Sequence, residues 1–172
     1  MEQVVQIPNE FRYTPFFEGE IDKVIYHTNQ SFVQLIESHY FLFDIEKRYE
    51  PWHEIEMSIP IVLDMWKQKN ENISLLFRNR KRVEAKEPMV HFAAHLLSVL
   101  HWLNGQPVPR LKGMGGDLDN LLVKPVNFIE RYSFIIEKPD HYHSYIQLTQ
   151  LYVEIEKLYV KTIIKKKKSP SL

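Results

Sequence analysis

The sequence predicts an all-α fold, a single-domain bundle of about six helices with an extended N-terminal arm and a basic C-terminal tail. Apolar residues recur at steps of three and four along most of the chain, and no segment keeps the sustained apolar-polar alternation of a half-buried strand. Between Pro88 and Leu103 the residues are apolar on nearly every side, as suits a helix enclosed by others, and Asn104-Gly105 marks its stop. A length of 172 residues fits one domain, and at that size folding hides roughly 70% of the surface of the unfolded chain. We divide it into an arm over residues 1–19, a bundle over 20–164 and a disordered lysine-rich tail over 165–172.

The arm holds Phe11, Tyr13, Phe16 and Phe17 between prolines, without helical or alternating spacing, so it reads as an aromatic arm packed on the domain rather than a strand. Ser31 with Gln34 forms a capping-box pattern, and Phe32, Leu35, Ile36, Tyr40 and Phe43 carry a first helix to about Asp44. Pro51 suits the first turn of a second helix with the stripe Trp52, Ile55, Ile59, Leu63 and Trp66. Pro60 should kink or divide it, at a local cost of about 3 kcal/mol. Asn72 can cap a third helix with Ile73, Leu76, Phe77 and Val83 inward.

The fourth helix starts at Pro88 with a core stripe of Met89, Phe92, Ala93, Leu96, Leu100 and Leu103 and an opposite stripe of His91, His95, Ser98 and Trp102. Residues 105–117 hold four of the chain's five glycines and read as a flexible surface loop. Residues 117–124 add at most a turn of helix. Asn127 with Glu130 opens a helix that ends before Pro139, and the last helix, from about Asp140, carries the seam Tyr145, Leu148, Tyr152, Ile155, Tyr159 and Ile163 before fraying into Lys165–Lys168.

Composition narrows the function. Lys plus Arg and Asp plus Glu balance at 22 each, so no global field recruits nucleic acid or anionic lipid, and any such partner must be read by a local patch. The absence of cysteine excludes disulfides, thiolate metal sites and cysteine nucleophiles and fits a reducing compartment. The N-terminus has neither a basic region nor a continuous apolar core, and no uncharged run reaches the roughly 18 residues of a membrane span. We expect a cytoplasmic protein with no transmembrane segment.

Two local arrangements stand out as candidate binding sites. Arg78, Arg80, Lys81 and Arg82, with Lys86 behind them, concentrate positive charge that can pair with phosphates or carboxylates, or can be a solvated helix end. Arg110 and Lys112 stand beside Gly113, Gly115 and Gly116, whose amides could cradle an anion, although the loop lacks the lysine-serine signature of a phosphate-binding loop. Lys165–Lys168 form a second basic element.

His91 and His95, four apart on one helical face, are candidate metal ligands, with His39, His53, Glu54 or Glu56 as a third. Phe92 stands where a His-Glu-x-x-His hydrolase needs its glutamate, so that chemistry is excluded. The reading we favour for both imidazoles is that of semi-buried packing residues with one hydrogen bond each. Ser144 beside His141 and His143 lacks a nucleophile elbow and an acidic partner, so packing explains it. No catalytic residue and no cofactor is assigned.

The stretches Arg82-Val83-Glu84-Ala85-Lys86-Glu87-Pro88-Met89, Leu100-His101-Trp102-Leu103-Asn104-Gly105-Gln106-Pro107-Val108, Lys124-Pro125-Val126-Asn127-Phe128-Ile129-Glu130-Arg131 and Tyr142-His143-Ser144-Tyr145-Ile146-Gln147-Leu148 together resemble the YpoC-like family of small proteins from Bacillus-type bacteria. The resemblance covers residues from about 30 to 160. It implies a bacterial, cytosolic, helical protein and brings no activity, cofactor or catalytic residue. The expected function is a non-enzymatic interaction module for a protein or nucleic-acid partner. A metal-binding bundle enzyme using His91 and His95 and non-specific nucleic-acid binding through the basic patches remain as alternatives.

Overall fold

The computed structural model of the protein describes residues 1–168. It is predominantly helical, with α1 (Phe32–Ser38), α2 (Leu42–Glu46), α3 (Ile55–Arg78), α4 (Arg82–Leu103), α5 (Met114–Asp119), α6 (Phe128–Glu137) and α7 (Tyr142–Lys168). The arm differs from its expectation. Glu2–Gln6 (β1) pairs antiparallel with Lys23–His27 (β2), Val4 opposite Ile25. Its alternation was too short and too weak to read, because one face meets water and the other is only half-buried. The intervening aromatics do pack inward: Phe11, Phe16 and Phe17 are buried and their rings meet Phe41.

The capping box is present, with Gln34 N–H donating to Ser31 Oγ and Ser31 N–H to Gln34 Oε1. The helix it starts stops at Ser38 instead of reaching Asp44. Phe41, Leu42, Phe43 and Asp44, which follow it, are all buried. The chain leaves the helix at His39, turns through Phe41 in the left-handed conformation at φ 61°, and resumes as α2.

The expected second and third helices are one. α3 runs unbroken through Pro60, and Asn72 is an exposed mid-helix residue rather than a cap. Pro60 falls in the second turn and forfeits one bond, to Glu56, which burial of Ile59, Val62 and Leu63 offsets. α4 likewise begins at Arg82, six residues before Pro88. Val83 is consequently 88% exposed in its first turn instead of lying in the core. The α3–α4 turn closes with Lys81 N–H donating to the Leu76 carbonyl (2.8 Å) and Arg80 N–H to that of Phe77 (3.1 Å), Arg80 taking the left-handed position usual for glycine.

α4 is the axis of the molecule, and every residue from Met89 to Leu103 except His91 is buried. α3, α6 and α7 surround it. Trp66 of α3 stacks on Tyr152 of α7 at 4.4 Å, and the hydroxyls of Tyr152 and Tyr132 donate to the Phe92 and Ala93 carbonyls at 2.6 Å each. The α7 seam lies against the core as its spacing predicts, from Tyr145 to Ile155, with Tyr159 and Ile163 half-buried. Arg131 of α6 pairs with Glu154 of α7. Lys165–Lys168 continue α7 as exposed helical residues where fraying was expected, and residues 169–172 of the expected tail lie outside the described residues.

The loop after α4 is not a free surface connection. Val108 and Leu111 are buried, and the amides of Leu111 and Lys112 donate to the Glu10 carbonyl at 2.9 and 3.0 Å. Its anchor is Asp44, 2% exposed, whose Oδ1 accepts from the Trp102 indole and the Val108 amide (2.9 Å each) and whose Oδ2 accepts from Ser98 Oγ (2.8 Å). Burial pushes this carboxyl up and the three donors pull it back. Asp44→Ala would leave three buried donors without an acceptor, each worth about 1–3 kcal/mol. We expect a loss of about 3 kcal/mol or more in urea denaturation, against about 1–2 kcal/mol for Asp44→Asn, which keeps one acceptor oxygen.

Candidate functional site

The four-residue spacing of His91 and His95 does bring their rings together. Their Nε2 atoms are 2.8 Å apart, and both face the main-chain oxygen of Ile36, at 3.0 Å from His91 and 2.8 Å from His95. Ile36 lies in the last turn of α1, where a carbonyl has no partner further along the helix. The imidazoles fill that role from α4. Only one Nε2 of a neutral pair can carry the proton between them, so one ring donates and the other presents a lone pair. His95 is 1% exposed and His91 partly so, with the Tyr40 ring edge-on to it at 5.6 Å.

Burial pushes both imidazoles down. His95 is driven well below the ordinary histidine range, helped by His91 and opposed by the Ile36 carbonyl. For His91 the Ile36 carbonyl and Glu87 oppose the effect of burial. Burial thus favours the neutral form of both rings.

His91 lines a cleft of about 430 Å³ between α1, α3 and α4. Its walls are Met65, Ile73, Leu76 and Phe92, with the carboxylates of Glu37 and Glu87 and the ammonium of Lys69 also lining it. None of these charged residues was singled out from the sequence, although Glu87 precedes His91 by four residues and so shares its helical face.

The proposed third ligands do not join the pair. His39 Nε2 contacts the Ile25 carbonyl at 3.0 Å, His53 contacts Glu50 at 3.2 Å, and Glu54 and Glu56 are exposed. Among the described residues no three His, Asp or Glu side chains gather at metal-ligand spacing; the third atom at the pair is the main-chain oxygen. Ser144 is buried and donates to the Lys138 carbonyl at 2.6 Å, a packing role.

The α3–α4 turn brings Arg78, Arg80, Lys81, Arg82 and Lys86 to one exposed corner. Arg82 pairs with Asp140 at 3.3 Å. Arg110 and Lys112 are not with them: Arg110 Nε stands 3.2 Å from Asp117 Oδ2, too poorly aligned for a hydrogen bond, and Lys112 Nζ donates to Asn9 at 3.2 Å. The Lys165–Lys168 run is also remote. α7 runs back along α3, with Tyr142 against Phe77 and Glu156 bonded to Lys67. That puts the lysines roughly 35 Å from the corner at 1.5 Å per helical residue.

Sequence reasoning passed over Asp44 and His101. The signal for Asp44 was a lone acid inside Tyr40-Phe41-Leu42-Phe43-Asp44-Ile45, and His101 sits between Leu100 and Trp102 on a helix apolar all round. Burial lowers His101 to about 4. The unfolded chain, with histidines near 6.5, therefore takes up protons before the folded one. Stability is full above about pH 6.5 and falls as the pH drops toward 4, with a slope approaching about 1.4 kcal/mol per pH unit for each buried histidine. Asp44, raised by burial, acts in the opposite sense and blunts the slope. Thermal unfolding between pH 7 and 4.5 should show the decline, and His101→Gln should flatten it.

No helix among the described residues is long and apolar enough to cross a membrane. The profile of the YpoC-like protein family matches residues 56–167, a span holding His91, His95 and the basic corner, while Ile36, Glu37 and Asp44 precede it. The uncharacterized protein YpoC of Bacillus subtilis (strain 168) is 32% identical over 123 residues, covering 71% of this chain and 75% of that protein. No solved structure matches. With the profile spanning α3 to α7 and the relative covering more than two thirds of the chain, this protein belongs to the YpoC-like family.

Proposed function

We propose that this chain is a non-enzymatic binding module whose α3–α4 corner engages an acidic segment of a protein partner. The observation that carries the reading is the density of exposed cations at one turn, beside exposed apolar side chains. Arg78, Arg80, Lys81 and Lys86 fall within nine residues and make no ion pair among the described residues, in a chain whose net charge is zero. Beside them Val83 is 88% and Tyr142 55% exposed, so cations and apolar surface adjoin. A shallow groove between Arg80, Lys81, Arg82, Val83, Glu84 and Asp140 runs through the same corner.

A protein segment fits this corner better than a nucleic acid. The patch is confined to one turn, and the lysine run that would extend a phosphate-tracking surface lies at the far end of α7. Neutralising many phosphates requires cations spread along the strand. An acidic peptide requires a few cations with apolar contacts between them.

Titration of the isotopically labelled protein with a glutamate- and aspartate-rich peptide should shift amides of residues 78–86 and 140–142. Arg78→Ser, Arg80→Ser and Lys81→Ser combined should abolish those shifts, leaving the thermal unfolding temperature nearly unchanged because none of the three is buried or paired. Shifts that persist in the triple variant would remove the corner from the account. Retention on duplex DNA that falls steeply with salt would favour a nucleic-acid partner instead.

A further inference from the structure

We propose that His91 Nε2, His95 Nε2 and the Ile36 carbonyl oxygen form one face of a site for a six-coordinate divalent transition metal, reached through the cleft between α1, α3 and α4. The argument is geometric and independent of the basic corner. The three atoms stand 2.8, 2.8 and 3.0 Å from one another, a nearly equilateral triangle. Metal–ligand bonds of about 2.0–2.1 Å meeting at right angles place neighbouring donors about 2.8–3.0 Å apart. A tetrahedral ion with the same bonds needs about 3.3–3.4 Å. The triangle therefore suits iron(II), cobalt(II) or nickel(II), metals that combine imidazole and oxygen donors in octahedral sites, better than tetrahedral zinc.

The donors are also held in advance. Both imidazoles stand four apart on a helix packed on all sides, and the carbonyl belongs to the end of α1, whose position is fixed by the buried Leu35 and Ile36 side chains. One Nε2 of the pair already presents a lone pair toward the other two atoms. A metal ion would take the place of the single shared Nε2 proton, which moves to Nδ1 of the same ring and leaves both imidazoles neutral. Backbone oxygen as the third donor explains why side-chain types alone reveal no metal set.

Access and charge agree with this assignment. His91 lines the cleft, so the pair is not sealed from solvent, and Glu37 and Glu87 line the same cleft with Lys69, leaving its lining net negative toward a divalent cation. The remaining coordination positions would hold water or a ligand from the cleft.

Cobalt(II) titrated into the tag-free full chain, followed by visible absorption, thermal unfolding and proton NMR, tests the site. One equivalent should bind with the weak absorption of six-coordinate cobalt, raise the unfolding temperature, and shift the ring protons of two histidines beyond the normal range. His91→Gln should weaken binding by at least the roughly 10–100-fold that loss of an outer-shell partner costs, while His27→Gln, an exposed control, should leave it unchanged. The NMR shifts need no variant, so they decide the matter even if His91→Gln fails to fold. No saturable cobalt signal, or shifts confined to exposed histidines, would overturn the proposal, and an intense four-coordinate spectrum would overturn the octahedral assignment.

Discussion

Burial of α4 from Phe92 to Leu103 leaves no water for the polar groups it carries there, and much of the structure answers that constraint. Ser98 and Trp102 need an acceptor, His95 needs a partner for its ring, and unpartnered groups at these positions would each cost about 1–3 kcal/mol. Asp44 meets the first need and the Ile36 carbonyl the second. Both come from the stretch between β2 and α3, so this stretch has to lie across one side of α4, and the chain turns at Phe41 between them. The same carboxylate then fixes Val108 and pulls the loop after α4 inward.

Hydrophobic cover on the other side of α4 is tighter because α3 and α7 are long and nearly antiparallel there. Trp66, Phe92 and Tyr152 pack ring against ring, and the tyrosine hydroxyls find main-chain oxygens of α4 rather than water. Where α1 ends early the cover is thinner. The cleft beside His91 is the result: a place where a short helix leaves a gap that α3 does not fill. The basic corner has a different origin, since turns between long helices are solvated and tolerate charge without cost to the core.

Much of the fold was legible because long helices announce themselves through spacing. The α7 seam and both stripes of α4 lie where the steps of three and four put them. Proline misled the boundaries at Pro60 and Pro88, since burial of their neighbours outweighs a single lost backbone bond. The β1–β2 hairpin escaped because its strands are five residues long and, apart from Tyr26, only half-buried on one face. The site was half legible. His91 and His95 share a face by helical arithmetic, but the oxygen they face belongs to a residue more than fifty positions earlier and to its backbone, which side-chain identity does not reveal.

By itself, then, the sequence determined the all-α class, the central position of α4, the facing of His91 and His95, and the gathering of Arg78 to Lys86, all properties of local periodicity or of adjacent residues. Only the tertiary structure decided the break before α2, the burial of Asp44 beneath Trp102, the Ile36 oxygen at the imidazole pair, and the separation of the two basic elements along α7. Local spacing fixes which side of an element a residue occupies. What stands opposite that side depends on contacts between distant segments, which form only when the apolar faces of the whole chain are buried together.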